Sequence, residues 1–271
     1  MADEVKLWGI RYRAHNGVVR WAVLVAPAEF GPGNPSPPLP LVVSPHGRGV
    51  RARTNARMWQ QLPARGNFAV VCPGGMGRRL PLHSWGFPGQ IDDLVRMRSH
   101  VTSAHPWLRV DPDRVYAVGG SMGGQETLLL VSRPAARLAG AVAFDSVTDF
   151  FRRYDDFAAL GRKGRALQAL ARLEVGGTPR TRGDAYLRRS PAHFKELIAS
   201  SGVPLQMWWS DADEIVTGQE NQSGKLFVEL RALGPTAPLE KVTGSWSHTA
   251  ESYRELQLPG AVEWLGLVPD V

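Results

Sequence analysis

Residues Val115–Leu130 read VYAVGGSMGGQETLLL and place Ser121 between two pairs of glycines. An apolar run of strand character precedes this serine, and a run of helical character follows it. Glycine is tolerated where the backbone turns sharply or comes close to another segment. The stretch therefore predicts a tight turn between a buried strand and a helix, with Ser121 at the turn.

The motif inside this stretch is G-x-S-x-G, from Gly119 to Gly123. Between a strand and a helix, this motif is typical of a nucleophile elbow, a strained turn that exposes the serine oxygen. The helix N-terminus then offers unpaired N–H groups and a partial positive charge close to that oxygen. We therefore predict that Ser121 is a nucleophile. The alternative is a glycine-rich turn with an incidental serine.

Strand-like and helix-like runs alternate along the rest of the chain. Apolar strand-like runs begin near residues 5, 18, 41, 68, 114, 139, 203 and 239, and helix-like runs separate most of them. This alternation predicts an α/β fold with a mainly parallel sheet and helices on both faces. Residues 15–17, His-Asn-Gly, join the first two runs and predict an N-terminal antiparallel hairpin at one edge.

The section from residue 148 to 198 interrupts the alternation and is polar, rich in arginine and partly helical. We predict a helical cap inserted into a single domain of residues 1–271, covering the carboxyl ends of the strands. A long helical connection without function is the alternative. Tyr154 and Phe157 fall on one apolar helical stripe and are candidates to contact substrate, although such a stripe also packs against its own domain.

A serine hydroxyl needs a neighbouring base, which a third group orients. In elbow enzymes the chain order is nucleophile, acid, histidine. Only His193 and His248 follow Ser121 in the sequence. His193 falls on a helix-like segment before the penultimate strand, whereas His248 falls in a loop directly after the last strand. We therefore predict that His248 is the base.

The acid has several candidates. The segment WWSDADEIV supplies Asp211, Asp213 and Glu214 at the end of one strand. Asp145 and Asp149 follow the preceding strand. Each of the five could be an ordinary surface charge, and only the one that the fold brings to His248 can be the acid. The residue pattern by itself therefore does not identify the acid.

The chain resembles α/β-hydrolases of the prolyl-oligopeptidase-like or esterase type. The resemblance covers nearly the whole chain and rests on SPHGRG, GGSMGG, YLRRSPAHF, SDADEIV and GSWSH, in that order. These motifs are specific for the superfamily and not for a substrate. Prolyl oligopeptidases also carry a propeller domain that restricts access to peptides, and 271 residues leave no space for one. The resemblance therefore favours an esterase over a peptidase.

The resemblance also implies the acid. Many such hydrolases carry a small residue, two others, Asp, two others and Val at this place. Ser210, Asp213 and Val216 fit that pattern. The resemblance thus implies Asp213 as the acid, with Asp211 second and Asp145 third.

The segment HGRG, residues 46–49, resembles the loop that supplies half of the oxyanion hole in the same enzymes. By this resemblance the two donors are the backbone N–H groups of Met122 and Arg48, with Gly47 as the less favoured second donor. His46 is expected to brace the loop. The Arg48 guanidinium could also approach a substrate carboxylate, although a solvated arginine is the more common case.

Trp85 and Phe87 lie beside glycines in the segment LHSWGFPGQIDD. They are candidates to line the acyl or alcohol pocket. Large aromatic side chains near a loop are as often part of the core, so packing is the alternative.

Composition excludes several classes of partner. The net charge of +7 arises from 32 Lys and Arg against 25 Asp and Glu, yet the basic residues are scattered without the clusters of a nucleic-acid binder. No apolar run reaches the roughly 20 residues of a membrane span. The first residues lack a signal peptide, which predicts a cytoplasmic protein unless a leader has been removed.

The sequence also predicts a reaction without metal or cofactor. Cys72, the only cysteine, falls in an apolar strand and is predicted to be a buried structural thiol, and the seven histidines lack metal-ligand spacing. We predict hydrolysis of a small-molecule carboxylic ester through an acyl-serine intermediate. Amide or peptide hydrolysis, acyl transfer and non-catalytic binding on the same fold are the alternatives. The oligomeric state stays open.

Overall fold

The computed structural model describes residues 4–248 and 253–268. Short apolar segments form a single sheet in this part of the chain. Its eight strands are β1 (Val5–Arg13), β2 (Val19–Pro27), β3 (Leu39–Val43), β4 (Ala69–Pro73), β5 (Val110–Gly120), β6 (Gly140–Phe144), β7 (Leu205–Ser210) and β8 (Leu239–Gly244).

The strands lie in the order β1-β2-β4-β3-β5-β6-β7-β8. Strand β2 is antiparallel to both β1 and β4, and the other neighbouring pairs are parallel. Every residue of β3, β4 and β6 is buried, as expected for parallel strands covered on both faces. The predicted mainly parallel sheet and N-terminal hairpin are therefore confirmed.

Helices cover both faces of the sheet. They are α1 (Ala52–Met58), α2 (Leu62–Arg65), α3 (Pro88–Val95), α4 (Met97–Ala104), α5 (Met122–Val131), α6 (Phe150–Ala159), α7 (Gly161–Val175), α8 (Gly183–Leu187), α9 (Lys195–Ala199), α10 (Ser223–Ala232) and α11 (Leu258–Trp264). None of the helices in the described ranges is long and apolar enough to cross a membrane.

Strand periodicity divides the core into two apolar clusters, one on each face. Leu41 and Val43 contribute to the cluster that packs under α3, α4, α5 and α10, whereas Val42 between them contributes to the cluster under α1 and α11. Successive side chains of a strand point to opposite faces, so one short apolar run fills both layers. Cys72 is fully buried in β4, and burial raises the pKa of its thiol to about 12.

Two sequence runs of helical character are each divided into two helices in the structure. The run at residues 55–66 forms α1 and α2, because Gln60 adopts a left-handed conformation with φ 46° and Pro63 opens the second helix. The run at residues 89–104 forms α3 and α4, separated at Arg96, where ψ is −2°. In residues 89–104 the apolar spacing near 3.6 continues through Arg96, so periodicity did not reveal this break.

The segment between β6 and β7 is helical, as predicted, and contains α6 to α9. Its apolar residues form a third cluster together with Trp85, Met122 and Val216, which we call the cap cluster; the remaining buried members are Val147, Phe150, Tyr154, Phe157, Leu167, Ala171, Val175 and Tyr186. Met122 follows Ser121 directly. The cap cluster therefore packs against the turn that holds the predicted nucleophile.

Candidate active site

Ser121 occupies a strained turn between β5 and α5. Its backbone has φ 59° and ψ −122°, a conformation rare for a residue with a side chain. Its N–H donates to the Phe144 carbonyl over 2.8 Å, and its carbonyl accepts from Gln125 N–H over 3.0 Å. Such strain persists only where neighbouring structure holds it, and it clusters at active sites.

The glycines around Ser121 are required because backbone segments approach closely there. A Cβ at Gly119 would lie 2.6 Å from the Gly123 carbonyl oxygen, and one at Gly124 would lie 2.9 Å from the Phe144 carbonyl oxygen. At Gly123 the added atom would overlap the Pro45 carbonyl oxygen. Residues without side chains therefore allow α5 to pack against β5, β6 and the loop after β3.

Asp213 and His248 form a hydrogen-bonded pair, with Oδ2 of the acid 2.8 Å from Nδ1 of the imidazole. Asp213 Oδ1 accepts the backbone N–H groups of Ile215 and Val216, each over 2.8 Å, and Oδ2 also accepts Gln219 Nε2 over 3.0 Å. Burial raises the pKa of Asp213, but the hydrogen bond and charge of His248, together with the hydrogen bonds from Gln219 and Val216, outweigh burial, so the pKa lies below its ordinary value. The carboxylate is therefore charged and fixed in orientation.

The three predicted catalytic side chains follow strands that share one edge of the sheet. Ser121 follows β5, Asp213 follows β7 and His248 follows β8, and β5 to β8 lie side by side in that order. Parallel strands present their carboxyl ends at the same edge, where ligands bind in open α/β sheets.

The competing acids lie in different surroundings. Asp211 is exposed and accepts Ser245 Oγ over 2.6 Å. Glu214 is exposed, and Asp149 caps α6 by accepting Arg152 N–H over 3.1 Å. His193, the other candidate base, lies in the short 3₁₀ helix Pro191–Phe194.

Asp145 is buried beside the Asp213–His248 pair. One carboxylate oxygen of each aspartate and one ring nitrogen of His248 lie within 4.8 Å of one another. Its oxygens accept Ser210 N–H, Trp246 Nε1 and Gln257 Nε2 over 2.9–3.1 Å. Burial raises its pKa despite these donors. Two carboxylates and an imidazole are groups that could bind a cation, but both oxygens of Asp145 already accept hydrogen bonds from N–H groups.

Sequence reasoning missed the part that Trp246 and Gln257 play in this arrangement. Trp246 stands two residues before His248, so the loop carrying the histidine also supplies a donor to Asp145. Gln257 precedes α11, and no pattern in the sequence marks it as a partner of a residue 112 positions away.

The loop after β3 lies directly beside Ser121. A Cβ built on Gly47 would lie 3.9 Å from the Ser121 Cβ. His46 holds the loop from within: its Nδ1–H donates to the Gly47 carbonyl and its Nε2 accepts Gly75 N–H, both over 2.8 Å. Burial lowers the pKa of His46, which favours the neutral ring that this pairing requires.

The N–H groups of Gly49 and Val50 in this loop are engaged, whereas those of Gly47 and Arg48 are not engaged within the described residues. Gly49 N–H donates to the Leu82 carbonyl over 2.9 Å, and Val50 N–H donates to the Gly47 carbonyl over 3.1 Å. Within residues 4–248 and 253–268, Arg48 N–H has no protein acceptor. An unengaged N–H beside the nucleophile is what an oxyanion donor requires.

Three of the four predicted pocket residues meet in the cap cluster. Trp85, Tyr154 and Phe157 are 3%, 8% and 1% exposed, and Trp85 N–H donates to Met122 Sδ over 3.3 Å. Phe87 lies apart from them: its ring centroid is 5.4 Å from that of His15, and the Arg189 guanidinium lies 5.2 Å from it.

Buried polar groups connect α5, the helix that follows Ser121, to the helical segment between β6 and β7. Ser84 Oγ donates to Glu126 on α5, and the Ser84 carbonyl accepts Arg189 Nη1. Arg189 Nη2 also lies 3.1 Å from Glu174 Oε1 on α7, and Glu174 accepts three backbone N–H groups of residues 78–80. Burial raises the pKa of Glu126 to about 8, with Ser84 and Arg189 opposing the rise.

The raised pKa of Glu126 predicts a pH-dependent stability. Between its ordinary pKa of 4.5 and about 8, the folded protein binds a proton that the unfolded chain releases. Stability must therefore fall as pH rises through this window. Glu126→Gln should weaken the dependence and raise the urea midpoint of unfolding at pH 8 relative to the parent protein. Glu263→Gln on the exposed side of α11 is the control, and equal pH dependence of the parent and Glu126→Gln would contradict the prediction.

Solved structures match this chain over almost its entire length, whereas no family model and no curated protein matches it. An S-formylglutathione hydrolase from Staphylococcus aureus is 16% identical with a TM-score of 0.66, and the match covers 97% of this chain and 99% of that one. An esterase from Rhizomucor miehei is 13% identical with a TM-score of 0.69, covering 97% and 83%.

A peptidase is similar to the same extent. The acylaminoacyl peptidase of Pyrococcus horikoshii is 14% identical with a TM-score of 0.71, and the match covers 97% of this chain but 41% of the peptidase. This chain thus spans about two fifths of that peptidase. At such low identity the likenesses bear on the fold and not on the reaction. Together with the sheet order and the strained serine turn, they show that the chain has the α/β-hydrolase fold.

Proposed function

We propose that this protein is a serine hydrolase that cleaves carboxylic esters of small molecules through an acyl-Ser121 intermediate. The observation that carries the proposal is the Asp213–His248 pair, at 2.8 Å, on the sheet edge that also presents the strained Ser121 turn. Nucleophile, base and orienting acid are the three roles that such acyl transfer needs.

In the proposed reaction each group performs one step. With Nδ1 hydrogen-bonded to Asp213, the Nε2 of His248 is the nitrogen that takes the proton of Ser121 as its oxygen attacks the ester carbonyl. His248 then donates this proton to the departing alcohol, and an acyl-serine remains. Water, deprotonated by His248, releases the acid. Asp213 stays ionised throughout, because its pKa lies below the ordinary value, and stabilises the imidazolium.

The negative oxygen of the tetrahedral intermediate needs donors that are already in position. We assign this role to Met122 N–H, in the first turn of α5, and Arg48 N–H in the loop braced by His46. Amides of a first helical turn have no partner within the helix, so Met122 N–H is available. Loss of one such donor costs about 3–4 kcal/mol of transition-state stabilisation.

Amide or peptide hydrolysis is the second candidate, because the same three groups can cleave both kinds of acyl bond and a peptidase shares this fold. The deciding experiment compares p-nitrophenyl acetate with p-nitroacetanilide, and peptide anilides with free and blocked amino termini. Labelling by a fluorophosphonate probe, which reports an activated serine, accompanies each assay. A larger rate enhancement over the uncatalysed reaction for the ester than for the anilides supports the proposal. A larger rate enhancement for the anilides would make the protein an amidase, and absence of labelling would make it a binding protein on the same fold.

The cap cluster is proposed to set the substrate range, because Tyr154 and Phe157 pack in the same cluster as Met122. Tyr154→Ala and Phe157→Ala should shift chain-length preference across p-nitrophenyl esters while Ser121 is still labelled. Both should also lower the free energy of unfolding by about 3–5 kcal/mol, as large-to-small core substitutions do. Leu230→Ala, a buried residue of α10, is the matched control. An equal fall in kcat/KM for every ester would show that the apolar stripe of Tyr154 and Phe157 has only a structural role.

A further inference from the structure

Arg153 is a buried cation on α6 whose hydrogen-bonding capacity is only partly used. Its side chain is 3% exposed, and its Cζ lies 4.5 Å from the centre of the Phe157 ring. Nη2 donates to the Ile215 carbonyl. Nη1 is buried, and no group in the described residues accepts from it. A buried guanidinium with an unengaged donor is costly to fold unless a ligand completes its hydrogen bonds.

The position of Arg153 places this unengaged donor near the proposed reaction centre. Ile215, whose carbonyl it binds, donates its own N–H to Asp213 Oδ1 over 2.8 Å. The guanidinium thus lies between the cap and the loop that carries the acid. Burial lowers the pKa of Arg153 to about 10; the charges of Asp156 and Asp213 oppose this fall, and the charge of Arg48 adds to it.

The neighbouring acidic groups form no ion pair with Arg153 within the described residues. Asp213 is engaged by His248, Gln219 and two backbone N–H groups. Asp156 stands one turn along α6, but among the described residues no carboxylate lies within 4 Å of the Arg153 guanidinium. Burial raises the pKa of Asp156, which weakens it further as a counterion.

We propose that Arg153 binds a carboxylate carried by the substrate, so that the enzyme prefers anionic esters to neutral ones of the same shape. A carboxylate offers the acceptor that Nη1 lacks, and a charge-assisted hydrogen bond in a buried site is stronger than one between neutral groups. The cap then contributes charge as well as apolar surface. The inference rests on the proposed function and names its substrate class.

The test compares esters that differ only in one charge. On the acyl side, p-nitrophenyl hydrogen adipate is compared with methyl p-nitrophenyl adipate. On the alcohol side, 4-acetoxybenzoate is compared with methyl 4-acetoxybenzoate, and the Ser121→Ala protein supplies the background rate in each case. A preference for the charged member of one pair identifies the side on which the carboxylate binds. Equal kcat/KM within both pairs, with the neutral esters still cleaved, overturns this inference alone; no Ser121-dependent cleavage of any ester overturns the proposed function.

Variants separate binding of a carboxylate from support of the Asp213 loop. Arg153→Met should lower kcat/KM for the preferred anionic ester by about 10–100-fold, the range for a hydrogen bond to a charged group. It should lower kcat/KM for the neutral ester much less. Arg153→Lys should retain part of the preference. Arg152→Met, an exposed neighbour on the same helix, should leave it unchanged. An equal loss for both esters in Arg153→Met and Arg153→Lys would assign Arg153 a structural role and overturn the inference.

A binding measurement provides a second readout that does not depend on turnover. Calorimetric titration of the Ser121→Ala protein with adipate should show binding that weakens by a similar factor when Arg153→Met is added. Removal of a negative charge by Asp156→Asn should leave this affinity equal or stronger. Adipate binding that is the same with and without Arg153, or that disappears in Asp156→Asn, would contradict a carboxylate site at this guanidinium.

Discussion

Replacing Ser121 by alanine is expected to abolish ester hydrolysis and fluorophosphonate labelling while the protein stays folded. The expected loss in kcat is on the order of a millionfold, as in other enzymes that lose the nucleophile of a triad. The reason lies in the turn. Ser121 is held at φ 59° by hydrogen bonds to Phe144 and Gln125 that use only backbone atoms, so alanine removes the oxygen and keeps the turn.

The control for this change is Ser103→Ala, since Ser103 is exposed on α4 and lies outside the proposed site. Steady-state hydrolysis of p-nitrophenyl acetate and the thermal midpoint of unfolding are measured for both variants. Residual turnover above about a thousandth of the parent rate would argue against Ser121 as the nucleophile, because the remaining binding and oxyanion groups do not support such a rate.

Replacing Asp213 by asparagine is expected to lower kcat by about ten thousandfold through the wrong imidazole tautomer. The surroundings of Asp213 fix how the new amide is oriented. Ile215 and Val216 both donate N–H groups to Oδ1, so the amide oxygen must take that place. The NH₂ group then faces His248 Nδ1 and forces this nitrogen to accept, which leaves Nε2 protonated and unable to act as base.

Asp211→Asn is the matched control, two residues away on the same loop. Asp211 is exposed and, among the described residues, its carboxylate accepts only Ser245 Oγ, so its change should have a far smaller effect on kcat. The reverse result would show that the spacing in SDADEIV had been misassigned. Activity of Asp213→Asn that fell only when Asp145→Asn was added would instead show that Asp145, buried beside the same histidine, takes part as a second acid.

The sequence by itself determined the order of strands and helices and the position of the elbow, because these depend on local patterns. Fully apolar runs such as residues 69–73 predict buried strands, and Gly119 to Gly124 predict a turn that allows close approach. The order of residues along the chain left His193 and His248 as candidate bases, and the position of His248 in the loop after the last strand favoured it. Local periodicity also placed helices between β6 and β7.

The tertiary structure alone decided which groups meet across long separations in the chain. Asp213 and Asp145 both follow strands, and only the folded loop shows that Asp213 reaches His248 Nδ1 while Asp145 is held by Trp246 and Gln257. The unengaged Nη1 of Arg153 is equally invisible in the sequence, where Arg152 and Arg153 are indistinguishable. Helix geometry buries one and exposes the other, and the free energy of a buried charge depends on partners that sequence neighbours do not supply.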